Sequence, residues 1–469
     1  MMSRPLGVKS PYASCLVALF LLFSGLAVSS NAYAGNALSD YVNEPDAAYA
    51  YRLVKTIKSN GHAMHLINMD SQRWRSNGEV DRILWSHWMS IIIPDQVSTD
   101  TAMLIVVGGN NTRELPELSN ESLKAAMLIA QATGSVVAML GQVPNQPLVF
   151  QDSDKPLRED GLVAASWRKA LDSGDFTWHA YLPMVKSVVR AMDTVQSFVP
   201  EHSAHKVNRF VVTGFSKRGA ATWLTAAADA RVRAIAPGVY DVLNFEPSMQ
   251  HHFASYGRYA PTLDDYVHNR ILERLKTPMG EALQKVIDPY HYVKQIRIPV
   301  FVINSAGDEF FPADSARFYV DDLPQDRLMR YIANTDHSLK EPGTGIAGAV
   351  AGLLAWYRTI IGPEKRPVIR WRQDDARLVV TTDQAPSSVR LWQASNTQAR
   401  DFRLETTGRT WQASTLELHG KGEYRVAIPT PDKGWTAYFV ELRYPGNQLQ
   451  QTYTTQIFIS PECYPKPRD

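Results

Sequence analysis

The chain has 469 residues, 45% of them hydrophobic and 20% charged, an ordinary globular composition with length enough for two domains. Forty-nine basic residues against forty-seven acidic ones leave a formal charge of +2, so neither disorder nor a nucleic-acid partner is implied. The two cysteines, Cys15 and Cys463, exclude a disulfide framework and a cysteine-based metal cluster.

Residues 1–34 read as a signal peptide, with Arg4 and Lys9 before an apolar run from Leu16 to Val28 and a small-x-small site at Ala32-Tyr33-Ala34. The run is short of the ~20 residues that span a bilayer. The mature chain is therefore expected to start near Gly35, exported and without an integral membrane span, and Cys15 leaves with the leader.

A short helix is expected around Tyr49 to Lys58. Strands follow at His62–Met69 and Ser86–Ile93 by alternation, and at Ala102–Val107 and Ser135–Leu140 as continuous apolar runs. Between the last two, Ser119-Asn120 offers a cap for a helix carrying Leu123, Ala126 and Ala130. Pro144-Asn145-Gln146-Pro147 is a rigid turn at the sheet end. Residues 151–181 form a long excursion whose Trp167 and Trp178 suit a core better than a substrate platform. A helix then opens at Pro183, with Val185, Val188, Met192, Val195 and Val199 on one face.

At Val211-Val212-Thr213-Gly214-Phe215-Ser216-Lys217-Arg218-Gly219-Ala220 an apolar strand runs into a glycine-flanked serine and then an Ala-rich helix. Such a turn exposes a serine hydroxyl above the sheet, with a helix N-terminus behind it, as in the nucleophile elbow of an α/β-hydrolase. Arg218 stands where the usual pattern has its second glycine, and Gly219 comes one residue later. The bland alternative makes Ser216 a helix cap.

After a strand at Val232–Ala236 comes Asp241, then residues 242–298, read as a cap over the site. His251-His252 within it lack a carboxylate at ligand spacing, so no metal is expected. The strand Pro299–Asn304 runs into Gly307-Asp308-Glu309-Phe310-Phe311, and Leu328–Ile332 runs into Asn334-Thr335-Asp336-His337. A helix over 345–361 closes the layer. The sheet thus has eight strands, mostly parallel.

A serine hydroxyl needs a base, and the base a carboxylate to orient it. Ser216, Asp308 and His337 follow separate strands in the chain order of this fold. Asp241 is the rival acid and Glu309 a weaker one. Taken singly, Asp308 reads as a turn former and His337 as a loop histidine. The oxyanion hole is expected from the backbone N–H of Lys217 with that of Gly109 or Asn110, in the glycine turn after the third strand. The Lys217 ammonium either serves an oxyanion or acidic substrate, or pairs with a carboxylate on the cap. Glu159-Asp160 and Asp264-Asp265 are acidic pairs available to a peptide amine, or solvated surface. The chemistry needs no metal or cofactor.

The runs Gln142-Val143-Pro144-Asn145-Gln146-Pro147-Leu148, Leu182-Pro183-Met184-Val185-Lys186, Thr213 to Gly219, Asp241-Val242-Leu243-Asn244, Ile287-Asp288-Pro289-Tyr290, Gly307 to Phe311 and Asn334 to Ser338 resemble the PhoPQ-activated pathogenicity-related family. That family is also similar to secreted autocrine proliferation repressors of amoebae. The resemblance implies a secreted or envelope α/β-hydrolase tied to virulence regulation. The elbow alone is similar to that of glucuronoyl esterases.

From Arg366 the pattern becomes short alternating segments at Val368–Arg372, Arg377–Thr381, Val389–Gln393, Thr410–Leu418, Tyr424–Ile428, Trp435–Tyr444 and Thr452–Ile459. This predicts an immunoglobulin-like β-sandwich over 366–469, after a hydrolase domain over 35–365. No site residues are expected in it. The expected function is an exported serine hydrolase acting on a small-molecule ester or peptide. The alternative is a non-catalytic secreted virulence or signalling protein that uses the scaffold to bind an envelope or host partner.

Overall fold

Strands built from uninterrupted apolar runs must be covered on both faces, and the centre of this molecule is such a sheet. The computed structural model describes residues 37–111, 121–340, 345–374, 377–420 and 422–466; the expected leader and the cap at Ser119-Asn120 lie outside them. The strands are β1 (Ala50–Ser59), β2 (His62–Arg73), β3 (Leu84–Pro94), β4 (Thr101–Val106), β5 (Val137–Leu140), β6 (Arg209–Phe215), β7 (Val232–Gly238), β8 (Val300–Ser305) and β9 (Arg327–Ile332). Beyond them come β10 (Ile369–Asp374), β11 (Arg377–Thr382), β12 (Ser388–Asn396), β13 (Gln412–Thr415), β14 (Glu423–Ala427), β15 (Trp435–Tyr444), β16 (Gln451–Thr454) and β17 (Phe458–Ser460).

The spatial order begins β1-β2-β3-β5-β4-β6-β7-β8-β9, and every pair from β5 to β9 is parallel. Counted from β2, this is 1-2-4-3-5-6-7-8, the order of an α/β-hydrolase sheet. Successive residues feed opposite cores: Leu104, Val212 and Val302 face one, Met103, Val211 and Ile303 the other. The helices Tyr181–His202 and Lys217–Ala228 fill the first side, and Glu121–Thr133 and Gly345–Ile361 the second.

All eight expected strands are present. A ninth, β1, stands where the short helix was expected, pairing antiparallel with β2 from Ala50↔Asp70 to Ser59↔His62. Tyr51, Val54 and Ile57 mimic a helical period. The decisive signal is Asn60-Gly61 between the two strands, a two-residue hairpin turn with Gly61 at φ 87°. Within the 151–181 excursion lies a further helix, Glu159–Ser173, and both Trp167 and Trp178 are buried.

Residues 242–298 sit between β7 and β8 as short helices, including Phe245–Tyr256, Asp264–His268 and Pro278–Ile287. His251 is bonded at 2.9 Å through Nε2 to Asp314 and through Nδ1 to Tyr464.

The sheet continues past β9 through β16-β15-β12-β13, with β17 on β15, for fourteen strands in all. The join is narrow: Met329 pairs with Thr454, whose hydroxyl accepts from the Tyr331 N–H at 3.0 Å. A separate β10-β11-β14 sheet supplies Leu378, Val380, Tyr424 and Val426 to the same buried cluster as Val389, Leu391, Val440 and Leu442. This is the β-sandwich expected from the alternation.

Candidate active site

β6 delivers Ser216 at φ 57° and ψ −132°, a strained conformation for a non-glycine residue. Its N–H donates to the Gly238 carbonyl at 2.9 Å, and its carbonyl accepts from Gly219 N–H at 2.6 Å. Glycine is required at 214 because a Cβ there would lie 2.7 Å from the Arg218 carbonyl oxygen. At 219 a Cβ would lie 2.9 Å from Tyr240 Cβ and 3.0 Å from the Gly238 oxygen. The second glycine is thus the residue that packs on β7, and position 218 is free to carry an arginine.

β8 and β9 deliver the other two residues. His337 Nδ1 lies 2.8 Å from Asp308 Oδ2, while Asp308 Oδ1 accepts from Phe310 N–H at 2.8 Å. The carboxylate is thereby fixed at both oxygens. Burial alone would lower the His337 pKa, but the Asp308 charge and hydrogen bond outweigh it and hold it above the ordinary 6.5. Its other nitrogen, Nε2, is buried and has no hydrogen-bond partner among the described residues. The Phe310 ring lies 4.4 Å from the imidazole.

The rival acids have other duties. Asp241 accepts from Tyr319 Oη at 2.5 Å and Tyr331 Oη at 2.6 Å. Burial pushes its pKa up to about 7 against those bonds. Glu309 Oε2 accepts from the His337 backbone N–H at 2.8 Å and so seats the histidine loop. The two loops are also tied together: Ser305 Oγ donates to the Thr335 carbonyl at 2.7 Å and accepts from Thr335 Oγ1 at 3.0 Å.

Lys217 is 5% exposed and pairs with Glu159 at 2.9 Å and Asp160 at 3.2 Å. The pairing reading is therefore right in kind, but the carboxylates stand on the helix Glu159–Ser173 rather than on the 242–298 segment. Arg218 adds a 2.6 Å contact to Glu159. Burial raises the Glu159 pKa, yet Arg218 and Lys217 bring it down to about 2. Asp160 also accepts from Tyr266 Oη at 2.8 Å. The Glu159-Asp160 pair is thus engaged with Lys217, Arg218 and Tyr266 within the protein.

Val106 and Gly214 are register partners, so the Gly108 to Asn111 loop leaves the sheet beside the elbow. Its carbonyls are tied back to the 142–147 run: Gly108 to Gln142 N–H at 2.9 Å, Gly109 to Gln146 Nε2 at 3.1 Å and Asn110 to Gln142 Nε2 at 2.6 Å. Gly108 itself lines a cleft of about 530 Å³ together with Ser216, Lys217 and His337.

The C-terminal region reaches the site too, which the sequence did not signal. Leu404 N–H donates to the Gly307 carbonyl at 2.9 Å. Asn334, at φ 59°, donates from Nδ2 to the Trp411 carbonyl and accepts from its N–H, both at 3.0 Å. On the C-terminal side every one of these contacts is made by backbone groups, of Leu404 and Trp411, so no residue-type pattern there betrays them.

Strand order, elbow and loop positions together define an α/β-hydrolase with a serine-hydrolase-like scaffold. The sequence profile of the PhoPQ-activated pathogenicity-related proteins matches residues 38–403, and the chain belongs to that family. It is 32% identical over 457 residues to autocrine proliferation repressor protein A of Dictyostelium discoideum, covering 91% of each chain. Among solved structures it is similar to an acetyl xylan esterase from Paenibacillus sp. R4, at 14% identity and a TM-score of 0.47 over 68% of this chain and 92% of the other. An acetyl xylan esterase from Thermoanaerobacterium sp. gives 15% identity and a TM-score of 0.46 over 70% and 93%. Among the described residues no helix is long and apolar enough to cross a membrane.

Proposed function

We propose that the chain is an exported serine hydrolase that cleaves an ester or peptide bond through an acyl-enzyme on Ser216. The observation that carries this reading is His337, its ring held by Asp308 at 2.8 Å and its Nε2 buried without a hydrogen-bond partner among the described residues, on a residue that lines the same cleft as Ser216. In this reading Nε2 takes the Ser216 proton as the hydroxyl attacks the acyl carbon, then passes it to the leaving group. Asp308 holds the tautomer and stabilises the imidazolium. The oxyanion is received by the Lys217 backbone N–H, at a helix end where such groups have no intrahelical partner. The second donor is Gly109 or Asn110. Export rests on the leader and on the family's name. Neither a metal nor a cofactor enters the reaction.

Turnover of acyl esters and aminoacyl arylamides, lost in Ser216→Ala, tests the proposal; no turnover on either class by folded protein counts against it. A second reading, a non-catalytic signalling protein on the same scaffold, takes its support from the name of the amoebal relative. Partner binding unchanged by Ser216→Ala, without turnover, is its signature.

A further inference from the structure

Ser216 lines two cavities of different character. One is the cleft of about 530 Å³ that it shares with His337, Gly108 and Arg218. The other is a chamber of about 60 Å³ beneath the 242–298 segment, walled by Trp167, Tyr181, Tyr240, Phe245, Met249 and Leu272 among others, which His337 does not line. Ser216, Lys217, Asp160 and Phe310 belong to both and form the divide.

The reaction itself distributes the substrate between them. The leaving atom must receive its proton from His337 and so departs through the cavity that holds the imidazole. The acyl substituent, on another bond of the same carbon, is left with the chamber. Chamber volume and wall chemistry then set the acyl class. About 60 Å³ amounts to roughly four water-sized volumes, room for a chain of about two to four carbons. Its two charged residues, Lys217 and Asp160, are bonded to each other, and further to Glu159 and to Tyr266. The Tyr181 and Tyr240 hydroxyls face each other at 3.4 Å. The remaining wall is apolar, so a charged acyl group finds no unpaired counter-charge and would lose its hydration.

We infer that the chamber is the acyl pocket and selects short, uncharged acyl groups, while the wide cleft accepts varied leaving groups. The inference rests on Ser216 being the nucleophile. Trp167 sets the size of the chamber: its ring meets Phe245 at 5.4 Å and Tyr266 at 6.2 Å.

The test is kcat/KM of the mature protein on nitrophenyl esters from acetyl to dodecanoyl, with fluorophosphonate labelling run on the same samples. The expected result is a maximum between acetyl and butyryl and a fall of at least tenfold by octanoyl. Trp167→Ala should move the maximum to longer chains. Leu272→Ala, on the half-buried rim and milder for folding, should do so by a smaller step. A labelled wild type that prefers octanoyl or longer esters, or variants that keep the wild-type chain-length profile, would overturn the pocket assignment and leave the hydrolase standing. Folded wild type that is never labelled would remove the nucleophile and the inference together.

Discussion

Leu404 donates its backbone N–H to the Gly307 carbonyl at 2.9 Å, one residue before the carboxylate that holds His337. With the paired bonds between Asn334 and Trp411, it makes the C-terminal region a brace for the acid loop and the histidine loop alike. Asn334→Ala removes two hydrogen bonds and puts a less suitable residue at φ 59°. It should cost about 2 kcal/mol of stability and lower kcat more than it raises KM. Thermal unfolding and steady-state kinetics on one preparation check this; a KM-only effect would place the brace in substrate binding instead.

The acid assignment separates two buried aspartates. Asp308→Asn should reduce kcat by about 10⁴-fold, as expected when the orienting carboxylate is lost. Asp241→Asn, whose partners are Tyr319 and Tyr331, should change kcat by no more than a small factor. Comparable losses in both variants would refute the assignment.

The pH-rate profile follows from the raised His337 pKa. The base must be neutral to act, so kcat/KM should rise with pH along a limb whose midpoint lies above 6.5. The folding linkage runs the other way: a raised histidine pKa stabilises fully below 6.5 and ceases to do so as pH rises through the folded-state value. Asp308→Asn should shift the residual limb downward, since burial then acts without the opposing charge.

Asp241 offers a second pH test. Its pKa lies near 7 in the fold against an ordinary 3.8. The stability linked to its protonation is fully present below 3.8 and lost as pH climbs through 7. The difference in Tm between wild type and Asp241→Asn should therefore favour wild type most at pH 4 and move toward the variant by pH 8. A pH-independent difference would contradict the buried, protonatable carboxyl.

Gly219→Ala probes the displaced elbow glycine. The added Cβ meets Tyr240 Cβ at 2.9 Å and the Gly238 oxygen at 3.0 Å, neither of them at the free end of a flexible side chain. A loss of about 1–3 kcal/mol is expected, typical of overpacking, with kcat reduced as the turn shifts. Wild-type Tm and rate would show that 219 is not the tight position.

Much of this arrangement was legible in the chain. Ser216, Asp308 and His337 each follow an apolar strand, and such strands have no alternative but the sheet centre. The helix over 345–361 and the C-terminal strands were equally plain, although the last segment breaks into β16 and β17. The period of Tyr51, Val54 and Ile57 misled because an edge strand buries little and leaves the pattern weak. Asp241 and Asp308 both follow strands, and only the tertiary placement of Tyr319 and Tyr331 distinguishes them. The partners of Lys217 lie nearly sixty residues away in the chain, on a helix that the 151–181 stretch did not announce.

The most direct measurement is mass-resolved labelling of the purified mature protein by a fluorophosphonate, with wild type beside Ser216→Ala and His337→Ala. One adduct on Ser216 is expected in wild type, none in Ser216→Ala and strongly slowed labelling in His337→Ala. Folded wild type left unmodified at high probe concentration, or labelling that survives Ser216→Ala, would contradict it.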